Sequence, residues 1–398
     1  MFPRNIYAFV ALSVAMLLSG VSAWAQQAAP HPTQKAGKYA VELRIPAEGL
    51  YADEETDIEF RVTDTSQDDP VQGAPPVVKA KVSARLTMPS MPSMPAQTPK
   101  THSEGVPGDY GVVVYFPHGG EYHLDLNITP PDDKPFTVSF QVPVDDADAV
   151  KKRPPKPRPY TLEVVPAPKT VRAGQPVDLT ILIRSRDTRQ PVTDFDTVHE
   201  KKIHFIIVSR DLSFFAHEHP ELGLDGKFAL RFTFPTGGEY RLFADVAPHG
   251  AGSQVLMQPL KVEGMPAAGV PTLKPAVLME PVGGVRVTLQ TDTAALPSGR
   301  TIPLAFALQD AKTNEPITDL EPYLGAMAHL ILIHQDGATF VHCHPDETEP
   351  ASGQNGALTF QARFPKPGAY RGWLQFQRRG QVLTATFVVA AREREGKP

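Results

Sequence analysis

Tyr115-Phe116-Pro117-His118-Gly119-Gly120-Glu121-Tyr122 recurs as Thr233-Phe234-Pro235-Thr236-Gly237-Gly238-Glu239-Tyr240 and as Arg363-Phe364-Pro365-Lys366-Pro367-Gly368-Ala369-Tyr370. The shared pattern is Phe-Pro, one variable position, Gly or Pro, Gly, one more residue and Tyr. Proline removes a ladder donor and so ends a strand; glycine permits the turn; the aromatic residue opens the next strand. Three copies mark three related units. Between them, short apolar runs alternate with turn signals, and in the second unit they fall at 161–165, 177–183, 204–208, 228–234, 240–246 and 255–260. About six or seven strands in roughly 100 residues is the spacing of an immunoglobulin-like sandwich.

Composition agrees. With 42 prolines, 29 glycines and two tryptophans in 398 residues, long helices are disfavoured and a turn-rich β architecture is favoured. The expectation is an all-β chain of three tandem immunoglobulin-like antiparallel β-sandwich domains, at 36–147, 160–263 and 276–391. Proline-rich linkers join them at 148–159 and 264–275, the first carrying KKRPPKPRP, and a charged tail follows at 392–398. The first reads as a stiff spacer and the second as a hinge, with the angles between domains left open.

Residues 1–25 combine a basic Arg4, an apolar stretch over 7–18 and the small-residue ending Ala23-Trp24-Ala25, which reads as a secretory signal peptide. The expected location is therefore outside the cytoplasmic membrane, periplasmic or extracellular. No later apolar run approaches the roughly 18 residues of a membrane span. The single cysteine, Cys343, permits no intramolecular disulfide and no lipid-modified cysteine behind the leader. A net charge of −5 gives no cationic surface for nucleic acid.

A second repeat carries the chemistry. His204, His217, His219 and Pro220 recur 125 positions later as His329, His342, His344 and Pro345, and Pro191, Thr193, Asp194, Asp211 and Phe215 recur as Pro316, Thr318, Asp319, Asp336 and Phe340. In the third unit, Asp336-Gly337 between two apolar runs signals a two-residue hairpin loop. Paired residue numbers then sum to 673, setting His329 opposite His344 with His342 on the same face. The second unit is expected to match, although its loop lacks glycine. Three imidazoles on one face suit zinc, copper or nickel, with a position left for water. Glu221 or His199 would complete the site in the second unit, and Asp346 or Glu347 that in the third. A buried histidine satisfied by a backbone carbonyl is the alternative for His204 and His329, which lie in strongly apolar strands. Strand alternation sends Cys343 to the opposite face, as a small core residue.

The first unit carries Met88-Pro-Ser-Met91-Pro-Ser-Met94-Pro95, followed by His102, where the others have histidines. In a polyproline II helix Met88, Met91 and Met94 would stack along one edge, a soft ladder suited to Cu(I). Capping a hydrophobic edge is the competing use of these methionines.

The stretch from His199 to Glu221 with Phe234-Pro235 and residues 240–245, its counterpart from Tyr323 to Gln375-Phe376, and the Met-Pro run of the first unit together resemble the YtkA-like group of secreted bacterial proteins. The resemblance implies a small β-sandwich outside the cytoplasmic membrane, in the company of copper-handling and respiratory-assembly proteins. Three functions fit these residues. The first is a non-enzymatic metal-binding protein for copper or zinc, with an extracytoplasmic protein partner; its ligands would be drawn from His204, His217, His219, His329, His342, His344, Met88, Met91, Met94 and His102. The second is a structural or adhesive array with packing histidines. The third is a zinc hydrolase or hydratase, for which no carboxylate stands out as general base and no Ser-His-Asp arrangement or phosphate loop is evident.

Overall fold

The computed structural model describes residues 31–393 apart from 47–48, 53, 70–72, 148, 150–158, 250, 268–272, 276–278, 294–295, 344 and 346–354. The signal-peptide reading at 1–25, most of the Lys/Pro-rich linker, His344, Asp346, Glu347 and most of the tail lie outside the described residues.

The described chain is all-β but for short 3-10 turns at Thr65–Gln67 and at Ala147 and Ala149, and forms three sandwiches. In the first, Thr33–Ala36, Tyr39–Arg44, Glu54–Asp64, Asp109–Phe116 and Lys100–Ser103 form one sheet, facing Lys81–Thr87, Gly120–Thr129 and Phe136–Val144. The second and third repeat a three-stranded sheet backed by a larger one. In the second, the larger sheet holds Phe195–Asp196, Gly238–Pro248, His204–Ser209 and Phe215–Glu218, with Gln254–Val262 on the other side of Gly238–Pro248. In the third, Ala328–His334, Phe340–Cys343, Gly368–Arg378 and Gln381–Arg392 stand in the corresponding places. Each sandwich has its own apolar core.

The repeated corner carries the chain from one sheet to the other. Gly120, Gly238 and Gly368 adopt φ of 133, 135 and 131°, a region side chains disfavour. Tyr122, Tyr240 and Tyr370 are buried, and their hydroxyls donate to the carbonyls of His118, Thr236 and Lys366 at 3.0, 2.9 and 2.8 Å. Their rings meet Phe116, Phe234 and Phe364 edge-on at 4.8 to 5.0 Å between centroids. This is the tyrosine corner of immunoglobulin-like domains, repeated three times.

Two strands depart from the alternation of a half-exposed sheet. Every residue of His204–Ser209 and of Ala328–His334 is buried. One face of each strand lines its own core; the other lies against the neighbouring sandwich. Ile206, Val208, Leu212 and Phe243 of the second domain pack against Ile331, Ile333 and Trp373 of the third in a separate apolar cluster. Phe215 stacks on Trp373 with centroids 4.7 Å apart, and Phe340 stacks on Phe243 at 5.0 Å. Phe215 and Phe340 are repeat equivalents, while Phe243 and Trp373 pair with the equivalent residues Ile206 and Ile331. The interface thus meets itself as a two-fold dimer would, inside one chain. The angle left open between the second and third domains is set here by packing: the outer faces are apolar, and burying them draws the two domains together.

The first domain docks through charge. Arg44 and Arg61 both pair with the buried Asp109, at 2.6 and 2.5 Å, and Arg61 reaches Asp196 of the second domain at 2.9 Å. Val106, Val198 and Ala247 make a small apolar contact beside them.

Candidate metal centre

The hairpin register is the one expected. Leu330 pairs with Cys343 and Ile331 with His342, while Phe205 pairs with Glu218 and Ile206 with His217, the same register shifted by the repeat. The loop is longer than the two residues anticipated: the last ladder pair is Ile333–Phe340, and the bond from His334 N to Thr339 O at 3.0 Å leaves 335–338 to make the turn. Cys343 faces the core of the third sandwich, where burial pushes its thiol up to about 12.

The histidine faces are the interface faces. The sequence suggested one separate set per domain; the structure brings both into a single cluster because the two sheets pack face to face. Ring centroids of His204 and His342 are 5.6 Å apart, those of His204 and His329 6.0 Å, and those of His199 and His329 5.4 Å. Glu221, offered as a further ligand, is instead exposed and bonded to Lys201. His199 does join the cluster, carried by a turn in which it and Glu200 have φ of 44 and 66°. The equivalent turn of the third domain has Leu324 and Gly325 there, at 52 and 74°.

Within the cluster three nitrogens converge. His204 Nδ1 lies 3.1 Å from His217 Nε2, and His219 Nε2 lies 3.2 and 3.1 Å from these two. A tetrahedral ion about 2.0–2.1 Å from each nitrogen needs them about 3.3 Å apart, so the triangle is close to ligating size. The second nitrogen of two of these rings fixes the tautomer. His204 Nε2 faces the Val198 carbonyl at 3.0 Å, which only accepts, so Nε2 carries the proton and Nδ1 a lone pair. His217 Nδ1 lies 2.6 Å from Gln375 Oε1, whose amide nitrogen donates to Thr384, so Nδ1 is the donor and Nε2 the lone pair. Two lone pairs therefore face each other at 3.1 Å. A proton on His219 Nε2 can serve one of them; a cation at the centre serves all three.

The third domain holds the outer nitrogens of His329 and His342 in the same way. His329 Nε2 donates to the Tyr323 carbonyl at 2.9 Å, and His342 Nδ1 donates to Asp245 Oδ2 at 2.6 Å. Asp245 and Gln375 are equivalent, pairing across strands with His204 and His329. Each domain thus supplies the acceptor that orients the other's histidine. The packing reading and the ligand reading meet here, since a backbone carbonyl does satisfy one nitrogen of His204 and of His329 while the other nitrogen turns inward.

Five of the rings, those of His199, His204, His217, His219 and His329, are held neutral, the form that binds metal. Burial, then neighbouring imidazoles, lowers His199 and His219 to about 3 and His204 to about 4. His217 and His329 are driven down by the same causes.

The methionine ladder is corrected. Met91 N donates to Met88 O and Met94 N to Met91 O, both at 2.9 Å, so the run is two successive turns rather than a polyproline helix. Proline fits the second position of a turn as well as it fits polyproline II. Met88 is buried in the first core, Met94 packs against it, and Met91 is exposed, so the three share no common edge. His102 lies on the outer face of that domain, with its Nε2 3.1 Å from both Asp57 and Glu104. Burial opposes its charge, but the two carboxylates outweigh it and raise His102 to about 11.

Asp245 and Gln375 escaped the sequence reading. Their signal was a lone polar residue inside an apolar strand: Asp245 in Leu-Phe-Ala-Asp-Val and Gln375 in Trp-Leu-Gln-Phe.

No curated protein matches the chain. Among solved structures, it is similar to the Escherichia coli adhesin FdeC at 13% identity over 92% of this chain and 99% of that one, with a TM-score of 0.20. Invasin, a bacterial integrin-binding protein, shares 12% identity over 89% of this chain and 60% of its own, at 0.18. Among the described residues, no helix is long and apolar enough to cross a membrane. The YtkA-like model matches residues 33–127, the first sandwich. The second and third sandwiches match another model, at 160–263 and 280–393. That match takes in more than half of the sequence, so the chain belongs to the family described as Domain of unknown function (DUF8832), here preceded by a YtkA-like domain.

Proposed function

We propose that this chain is a non-enzymatic, extracytoplasmic metal-handling protein that holds a Cu(II) or Zn(II) ion on His204, His217 and His219. The observation that carries this reading is the pair of lone pairs, His204 Nδ1 and His217 Nε2, fixed toward each other at 3.1 Å with His219 Nε2 completing the triangle. Imidazole donors and a fourth, open position suit either ion. Copper is the favoured cargo on the resemblance of the first domain to YtkA-like proteins. With the methionines dispersed, the soft-ligand argument for Cu(I) no longer supports it.

Catalysis would need a base beside the open position. The neighbouring carboxylate, Asp245, already accepts from His342 and is buried, which supports holding an ion over using one. The residues 1–25 support secretion, where such an ion would be captured or passed to a protein partner.

The test is calorimetric titration of the metal-free chain lacking residues 1–25 with Cu(II) and Zn(II), beside His219→Gln. His219 is the least buried ligand, and glutamine preserves much of its shape. Tight binding in the parent, weakened at least tenfold in the variant with an unchanged near-ultraviolet spectrum, supports the site. Equal binding by both removes the triad from the ligand set.

A further inference from the structure

The outer face of the first domain's larger sheet is charged where it meets the other two domains. Along Glu54–Asp64, Asp57, Glu59 and Arg61 alternate with the core residues Ile58, Phe60 and Val62. Arg44, Arg61, Asp109 and Asp196 neutralise one another. Asp57, His102 and Glu104 form a separate group.

Their ligand atoms converge. His102 Nε2 is 3.1 Å from Asp57 Oδ2 and 3.1 Å from Glu104 Oε1, and the three lie within 4.8 Å of one another. The strand beneath is shaped for this. His102 pairs with Gly111, and a Cβ at 111 would collide with the His102 ring and Asp57 Oδ1. Gly111 is absent from the positive-φ residues, so the backbone does not call for glycine there. Glycine inside a strand weakens it, and what it supplies here is space for the imidazole to lie over the sheet. Gly105 does the same for His199, whose ring a Cβ at 105 would strike.

The group also has room beside it. Asp57, His102 and Glu104 line a cleft of about 220 Å³ whose other walls include His199 of the second domain and His342 of the third. Several water molecules fit in that volume.

We propose that Asp57, His102 and Glu104 form a second cation site, for a divalent ion of the Mn(II) or Zn(II) class, independent of the histidine triad. One imidazole and two carboxylates are an oxygen-rich donor set that favours such ions over Cu(I). Two carboxylate charges balance a divalent ion, which takes the place of the proton His102 holds and releases it to solvent, and the cleft admits the waters that complete the ion's shell. The competing description is an ion triplet that only fastens the domains, which binds no cation.

Mn(II) alone is the probe, since its free electron paramagnetic resonance signal vanishes on binding. The chain lacking residues 1–25 is titrated as the parent, as His219→Gln, as Asp57→Asn with Glu104→Gln, and as Gly111→Ala. The expected result is one Mn(II) bound by the parent and by His219→Gln, with at least tenfold weaker binding in the carboxamide variant. Gly111→Ala, which keeps every ligand group but displaces the ring and presses on Asp57, should also weaken binding and serves if the double variant fails to fold. No Mn(II) bound by the parent, or undiminished binding in the folded variants, overturns the site. Because His219→Gln leaves this site intact, failure of the triad and failure of this proposal read out separately.

Discussion

Asp245 and Gln375 occupy one position in two sandwiches, yet they give their histidines different company. A carboxylate pulls harder on an N–H than an amide oxygen does, so His342 is the more electron-rich ring and His217 the less. Replacing Gln375 with Leu leaves His217 Nδ1 without its acceptor and frees the ring to turn. Affinity for Cu(II) or Zn(II) should fall about 10- to 100-fold, the usual cost of losing such an orienting partner. Titration checks this, and unchanged affinity would show that Gln375 does not set the tautomer. The buried rings also fix how the metal-free protein responds to acid. Unfolded imidazoles take up protons below about pH 6.5. The folded rings of His204, His199 and His219 wait until about 4 to 3. Between those limits the unfolded chain binds more protons, so stability falls as pH drops and is unaffected by these groups above about 7.5. Denaturant midpoints from pH 7.5 to 4.5 should decline, less steeply in His219→Gln; a flat profile would mean the rings are not buried neutral.

At the level of elements, the corner is the most legible feature, because Phe-Pro, Gly and Tyr each do something specific there. Tyr240→Phe removes the hydroxyl that donates to Thr236 O and should cost about 1 kcal/mol, read as a lower denaturation midpoint with an unchanged slope. A loss indistinguishable from zero would mean water replaces the bond. Strand positions in the second unit were legible too, as was the register that puts the histidines on one face, since side chains alternate with a fixed period of two. The methionine run was not, because a Pro-Ser spacing is compatible with both a turn and a polyproline helix and only the backbone hydrogen bonds decide. The apolar runs at 205–208 and 330–333 are of the kind that strands buried on both faces carry, a signal the alternation reading passed over. They could not say against what, since no local pattern names a partner lying more than 100 residues away.

The whole molecule joins the histidine triad and the interface into one device. Phe215 stands two residues before His217, and its stacking partner Trp373 stands two before Gln375, so the aromatic contact and the orienting hydrogen bond share the same pair of strands. Loosening one should loosen the other. Phe215→Ala removes a half-buried ring from the contact, and its cost should fall below the about 3–5 kcal/mol of a fully buried phenylalanine. The second and third domains should then unfold together at a lower temperature. Trp373 is the one tryptophan left once residues 1–25 are removed, so its emission reports this interface without interference and should shift to the red in the variant before any unfolding. Metal affinity should fall in parallel, because Gln375 is no longer held over His217. Conversely, an ion bound at about 100 times its dissociation constant adds about 2.7 kcal/mol to the folded state and should raise that joint transition. If Phe215→Ala shifts the emission yet leaves affinity untouched, the triad is organised by the second domain alone. The two-fold meeting of the sheets would then be an interface that lies beside the metal site without shaping it.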